Sequence, residues 1–283
     1  MFDRILIPLD GSARAELLLA QLNPLLKREQ TEVVLVQGVY AAPSLARIDS
    51  GNLAREHGQE AEAYLQQVAH RLELQGIRAR WLVKKESPEE AILQTAREGK
   101  FDLIAMSTHG RMGFERWMMG SVTEQVLRAA EVPLLIIHSF KRTPGGPTVP
   151  LAGEPVSFKS ILVPIDVGQA SLDILPSIER MATIYKSEIG LLHVTGHAAI
   201  SELPQTMKTA EGKLAGAALS VRPILVQGEP ASKIVEVAST GGFDLLAMAT
   251  HGRSTKRRWV MGSFAEQILR ASPIPMFVVP SSS

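Results

Sequence analysis

The sequence predicts an α/β fold made twice over: two repeated domains, each an open five-stranded, mostly parallel sheet with helices on both faces. Three observations predict it. The first is an internal repeat. Residues 101–139 read FDLIAMSTHGRMGFERWMMGSVTEQVLRAAEVPLLIIHS and residues 243–281 read FDLLAMATHGRSTKRRWVMGSFAEQILRASPIPMFVVPS. About half the positions are identical with no gap, far beyond shared composition, and a unit this long is a duplicated domain rather than a solenoid repeat. The two starts also correspond, since Arg4-Ile-Leu-Ile-Pro-Leu-Asp10 matches Ser160-Ile-Leu-Val-Pro-Ile-Asp166. The second observation is alternation of short apolar runs with helix-period stretches. The third is a break between the copies, KRTPGGPTVPLAGEPV at 141–156, rich in proline and glycine and without apolar period, which reads as a linker. Domains are expected over residues 1–140 and 157–283.

Taken in order, the strands of the first copy are expected at 5–9, 33–36, 80–83, 103–106 and 133–137. Helical patterns fall between them at 13–26, 53–74, 88–98 and 121–130. Short continuous apolar strands alternating with helices argue for a parallel sheet covered on both faces. The second copy repeats the order with a shorter connection after its second strand.

Composition narrows the function classes. The chain has 283 residues, enough for two domains that each bury a core, and its formal net charge is +1. No global field draws it to nucleic acid or to an acidic membrane. It has no cysteine, which excludes disulfides, thiolate zinc sites and cysteine nucleophiles, and suits a reducing compartment. The first ten residues lack a signal-peptide core, and no apolar run approaches a bilayer span. A cytoplasmic protein is the expectation.

In an open parallel sheet the ligand crevice lies beyond the carboxyl ends of the strands, near the point where strand order reverses. Two motifs fall at such ends. Pro8-Leu9-Asp10-Gly11-Ser12 leaves the first strand, with Pro164-Ile165-Asp166 as its counterpart. Ser107-Thr108-His109-Gly110 leaves the fourth strand and is followed by Gly120-Ser121; Ala249-Thr250-His251-Gly252 has the same gap to Gly262-Ser263. Glycine lets a backbone approach a ligand closely because it lacks a Cβ. Gly120-Ser121 and Gly262-Ser263 stand before an amphipathic helix, whose free N–H groups and positive dipole end would hold an anion. Ser121 with Glu124, and Ser263 with Glu266, have capping-box spacing. Arg111 and Arg116, or Arg253, Lys256, Arg257 and Arg258, are placed to screen phosphate charge. A helix start and nothing more is the competing reading of the same residues.

With these motifs in hand, the sequence resembles the universal stress protein family over nearly its whole length, in both halves. The family's ATP-binding members carry G-x2-G-x9-G-[ST] after the fourth strand and an aspartate ending the first. Here the pattern reads Ser107-x2-Gly110-x9-Gly120-Ser121 and Ala249-x2-Gly252-x9-Gly262-Ser263, with the first glycine replaced by serine and by alanine. The resemblance implies a Rossmann-like domain related to the adenine nucleotide alpha hydrolases, binding ATP with Mg²⁺ or Mn²⁺. By it, Asp10 and Asp166 lie beside the adenosine end, with Pro8, Leu9, Pro164 and Ile165 next to them. Met106, Ser107, Gly110, Arg111, Gly120, Ser121 and Val122 face the nucleotide in the first half. Met248, Ala249, Gly252, Arg253, Gly262, Ser263 and Phe264 do so in the second. The family's second-strand adenine contact, usually valine, falls on Gly38 and Val194. Phe264 replaces the smaller Val122, and a ring turned inward would crowd the second site. The resemblance further implies that the two domains pair through their last strands, 133–137 and 275–279, and leaves pairing of whole chains open.

Other residues read both ways. His109 and His251 are catalytic candidates or loop histidines bonded to backbone or phosphate; neither has a carboxylate at short fixed spacing, so no triad is supported. Asp10 and Asp166 read equally as Mg²⁺ contacts through water, ligand contacts or helix-start caps. Lys256-Arg257-Arg258 lacks interleaved aromatics and reads as a solvated or phosphate-facing loop rather than a nucleic-acid patch. Trp117, Trp259, Met118, Met119 and Met261 read as packing residues. Without a Walker lysine the P-loop mechanism is missing, so a nucleotide-binding regulatory protein leads over a hydrolase, with an empty interaction module of the same fold as the other alternative.

Overall fold

The computed structural model describes residues 2–26, 30–40, 50–107, 120–138, 140–142, 148–150, 155–196, 203–249 and 263–280. In the first half, β1 (Arg4–Pro8), β2 (Glu32–Gly38), β3 (Arg78–Lys84), β4 (Leu103–Ser107) and β5 (Leu134–Ile137) form a parallel sheet in the order β5-β4-β1-β2-β3. Between them run α1 (Ala13–Gln21), α2 (Asn23–Leu26), α3 (Ser50–Glu73), α4 (Pro88–Gly99) and α5 (Ser121–Ala129). A small antiparallel ribbon, β6 (Phe140–Arg142) with β7 (Thr148–Pro150), follows. The second half repeats the plan with β8 (Ser160–Pro164), α6 (Leu175–Tyr185), β9 (Glu188–Thr195), α7 (Gln205–Gly216), β10 (Ser220–Gln227), α8 (Pro230–Thr240), β11 (Leu245–Ala249), α9 (Ser263–Ala271) and β12 (Met276–Val279).

The two halves share one ten-stranded sheet, because β12 pairs antiparallel with β5, Phe277 opposite Leu135 and Met276 opposite Ile136. Every central strand is apolar on both faces. In β1, Ile5 and Ile7 enter the core beneath α1 and α3, while Leu6 enters the core beneath α4 and α5. That double burial is why the strands read as continuous apolar runs.

Local chemistry fixes the helix ends. Ser12 caps α1 by accepting from Ala15 N at 3.2 Å. Ser87 caps α4 by accepting from Glu90 N and donates its hydroxyl to Glu90 Oε2, with Pro88 in the first turn and Lys100 closing the helix at φ 51°. The helix expected over 13–26 is instead two, broken at Leu22, because Pro24 has no N–H to extend the first ladder. The ribbon begins at Phe140 and runs into the stretch read as a linker; three-residue strands are too short to show a period.

The repeated Phe-Asp pair has a structural role in both halves. The Asp102 carboxylate accepts from Asp3 N and Arg4 N at 2.9 and 3.0 Å, and Asp244 accepts from Lys159 N and Ser160 N at 3.0 and 3.1 Å. Each ties the start of its domain's first strand to the fourth. Phe101 and Phe243 lie under the guanidinium groups of Arg4 and Arg222. No helix among the described residues is long and apolar enough to cross a membrane.

Candidate functional site

β1 is flanked by β2 and β4, and the chain runs from β1 to α1 on one face of the sheet and from β4 to α5 on the other. The carboxyl ends of β1 and β4 therefore border the reversal point, where a crevice opens in this class of sheet. Pro8 closes β1, and Leu9, buried, donates its N–H to Val36 O at 2.9 Å. The chain then turns on Asp10, whose Oδ1 accepts from Ser12 N at 3.0 Å and Ser12 Oγ at 2.6 Å, with Gly11 at φ 81°. This is an Asx turn feeding directly into the Ser12 cap of α1. In the second half Ile165 repeats the bond of Leu9, to Leu192 O at 2.8 Å, and Asp166 Oδ1 accepts from Gly168 N at 2.7 Å. Both aspartates thus shape their own loops at the crevice edge.

At the end of β4, Met106 is buried and Ser107 half-buried; Met248 and Ala249 hold the matching places on β11. The Thr123 hydroxyl donates to Ser107 O at 3.3 Å, fastening the first turn of α5 to the mouth of β4. Gly120 is the N-cap of α5, extended at φ −60° and ψ 148°, and as a glycine it supplies no side-chain cap. Ser121 is the first helical residue rather than the cap, so the capping box expected with Glu124 does not form. Glu124 turns instead to Arg128 and Arg270, each at 3.0 Å. Ser121 is exposed and Val122 half-buried. α9 begins at Ser263, and Phe264 is 43% exposed, so its ring fills no buried corner of the second half.

Gly38 ends β2 opposite Lys84, and Val194 stands half-buried in β9 against the core beneath α8 and α9. Gly110, Arg111, Gly252, Arg253 and Gly262 lie outside the described residues, as do His109, His251, Arg116, Trp117, Met118, Met119, Lys256, Arg257, Arg258, Trp259 and Met261. Among the described residues no group of three or more histidine or carboxylate side chains is gathered to hold a metal ion.

Two residues near the crevice escape a reading of the sequence. Thr123 makes the tie between β4 and α5, but the repeat carries Ala265 in its place, so duplication gave no signal. Tyr64 of α3 packs partly buried near Asp10 and Glu16; burial first, then those two carboxylates, push its phenol pKa above the ordinary value.

Comparison with known proteins places this architecture. The family model described as universal stress protein family matches residues 1–138 and 157–280. A universal stress protein of Methanocaldococcus jannaschii is 30% identical over 148 residues, covering 50% of this chain and 85% of that protein. One from Mycobacterium bovis is 23% identical over 269 residues, covering 90% of each chain. Among solved structures, a universal stress protein from Archaeoglobus fulgidus superposes with a TM-score of 0.78 at 21% identity over 100% of both chains. The chain belongs to the universal stress protein family, whose model it matches twice.

Proposed function

We propose that the chain binds one ATP in each half, at the crevice between the ends of β1 and β4 and its counterpart between β8 and β11. It acts there as a cytoplasmic, nucleotide-responsive regulator of a stress response rather than as a turnover enzyme. The observation that carries this reading is the start of α5. In the first half, α1 and α4 have leading N–H groups capped by their N-cap residues Ser12 and Ser87, whereas the N-cap of α5 is Gly120, which has no side chain to cap with. The Thr123–Ser107 tie holds that start beside the β4 end. Uncapped helix N–H groups with a positive dipole end suit phosphate oxygens.

In this reading Gly120, Ser121 and Val122, with Gly110 and Arg111, hold the phosphates, while Pro8, Leu9, Asp10, Gly38, Met106 and Ser107 hold the nucleoside. Gly252, Arg253, Gly262, Ser263 and Phe264, with Pro164, Ile165, Asp166, Val194, Met248 and Ala249, do the same in the second half. Mg²⁺ or Mn²⁺ accompanies the nucleotide, held by its phosphates and by the aspartates through water. A bound cation neutralises phosphate charge. The residues of the chain orient the nucleotide, and none is assigned to proton transfer.

Calorimetry of the full chain with ATP and Mg²⁺ tests the reading. Two sites per chain are expected, with Gly120→Val abolishing one and Gly262→Val the other. Losing two hydrogen bonds to charged oxygens weakens affinity by roughly a hundredfold or more. Unchanged affinity in a folded double variant would place the nucleotide elsewhere. Steady-state hydrolysis above about 1 s⁻¹ would make the protein an enzyme.

A further inference from the structure

The amino ends of the strands lie at the opposite edge of the sheet from the crevice, and there the two halves differ in charge. Strand register places the residues. In the first half Arg4 of β1, Glu32 of β2 and Arg78 of β3 stand side by side in one row, with Arg80 one step further along the same face. The same row in the second half reads Ser160, Glu188 and Ser220, with Arg222 in the place of Arg80. The carboxylate and one arginine are common to both halves. The other two arginines belong to the first half alone.

Glu32 is already satisfied by two of the three. Its side chain is 14% exposed, and its oxygens accept from Arg4 Nε at 2.8 Å and Arg80 Nε at 2.9 Å. The terminal nitrogens of Arg80, on an exposed side chain, remain open to a ligand. Arg78 is exposed as well, and among the described residues it pairs with no carboxylate. Arg78 and Arg80 line a cavity of about 430 Å³ together with Glu32, Ala79 and Glu73. Lys84 O accepts from Val39 N, so the even-numbered residues of this edge strand turn their backbone groups to β2 and Ala79 turns its N–H outward, into the cavity. Glu73, at the end of α3, stands 3.9 Å from His70 and pairs with neither arginine.

Unbalanced positive charge facing a cavity of small-molecule size suits an anion. Arginine forks match phosphate oxygens and bind them through parallel bonds. The two guanidinium charges left over once Glu32 is matched are those a phosphate dianion would neutralise. Glu73 can only accept, so it suits a hydroxyl group carried beside the phosphate.

We propose that the first half binds a phosphate dianion here, free or as the ester of a small hydroxylated molecule, held by Arg78, the Arg80 fork and the Ala79 N–H. The proposal is independent of ATP binding, because the crevice lies at the other end of the strands. Calorimetry of the full chain with inorganic phosphate, at about pH 8 where phosphate is dianionic and at ionic strength fixed with potassium chloride, is expected to show a saturable site. Arg78→Ser gives the row the residue that Ser220 supplies in the second half, and is expected to weaken binding at least about tenfold. The melting temperature should hold, since Arg78 is exposed and unpaired. Acetate, with a single charge, is expected to give no saturable heat over the same range. Glycerol phosphate separates the two sources. Tighter binding than inorganic phosphate, with the advantage lost in Glu73→Gln, supports an ester as the guest, and equal binding supports free phosphate. No saturable phosphate heat up to about 10 mM, a range that reaches well past millimolar affinity, would overturn the proposal. So would equal binding of acetate or unchanged phosphate affinity in Arg78→Ser. Phosphate binding that survives Arg78→Ser and disappears in Gly120→Val would put the anion at the start of α5, which sinks this site while leaving the ATP reading intact.

Discussion

At Gly38 the end of β2 runs so close to the start of α4 that a Cβ there would stand 2.7 Å from Pro88 Cα and 2.9 Å from Glu86 O. Both neighbours are backbone, so neither can swing aside. Gly38→Val is therefore expected to cost about 1–3 kcal/mol, the range for forcing extra atoms into a packed region. Urea denaturation measures it, and a variant as stable as the parent would show that the 85–88 turn gives way. The sequence allowed a different reading of this residue, as a valine lost from the base-contacting position. The steric reason lies in a tertiary contact with a loop some fifty residues on, which no local pattern reports. Asp10 illustrates the same limit. Its place at the end of β1 was legible, because the apolar run stops there and the repeat has Asp166 at the same point. Its engagement with Ser12 was not, because an aspartate at a strand end reads equally as a ligand contact or a loop-former.

Among the helices, α5 and α9 are bound to each other by a reciprocal ring of charge. Arg128 of α5 reaches Glu124 at 3.0 Å on its own helix and Glu266 at 2.7 Å on α9; Arg270 of α9 reaches Glu266 and Glu124, each at 3.0 Å. The Arg270 guanidinium, followed by Arg128, holds the Glu266 carboxyl below the usual carboxylate range. A carboxylate whose pKa is depressed on folding stabilises the native state above its unfolded pKa, and that stabilisation is lost as pH falls through the folded value. Replacing both arginines by glutamine is thus expected to lower the melting temperature at neutral pH and low salt. The difference should shrink in about 1 M salt and again below about pH 4. A difference unmoved by salt and pH would mean that the arginine stems pack rather than pair. Element positions themselves were largely legible. The strand expected at 33–36 extends to Glu32–Gly38, and that expected at 103–106 to Leu103–Ser107, because double burial makes a strand visible as an apolar run. The ribbon of β6 and β7 was not, since its residues carry neither length nor period. The destination of Glu124 was hidden too: the same spacing serves a capping box or a cross-helix pair, and only the folded neighbour α9 decides between them.

Across the whole molecule the two halves behave as one core. The antiparallel pairing of β5 with β12 makes the sheet continuous, and each of the two apolar clusters draws residues from both halves. At the seam Phe277 of β12 is fully buried and meets Phe2, at the start of the first half, edge to face with ring centroids 6.1 Å apart. The outer edges are built differently. β10 carries Pro223, and β3 carries Arg78, Arg80 and Lys84, devices that discourage an edge from accepting another strand. Stability is therefore concentrated at the centre of the sheet, where each half covers the strand that would otherwise be the exposed apolar edge of the other. Thermal unfolding is expected to be a single transition, with the calorimetric enthalpy equal to the van't Hoff enthalpy. Phe277→Ala tests the source of that unity. Removing a fully buried aromatic ring costs about 3–5 kcal/mol, and here the loss falls on the seam rather than within one half. The variant should melt lower and in two steps, the second half unfolding first because it loses the ring from its own last strand. A lower but still single transition would mean that the β5–β12 ladder alone couples the halves, and two transitions in the unaltered protein would mean that the shared sheet does not couple them.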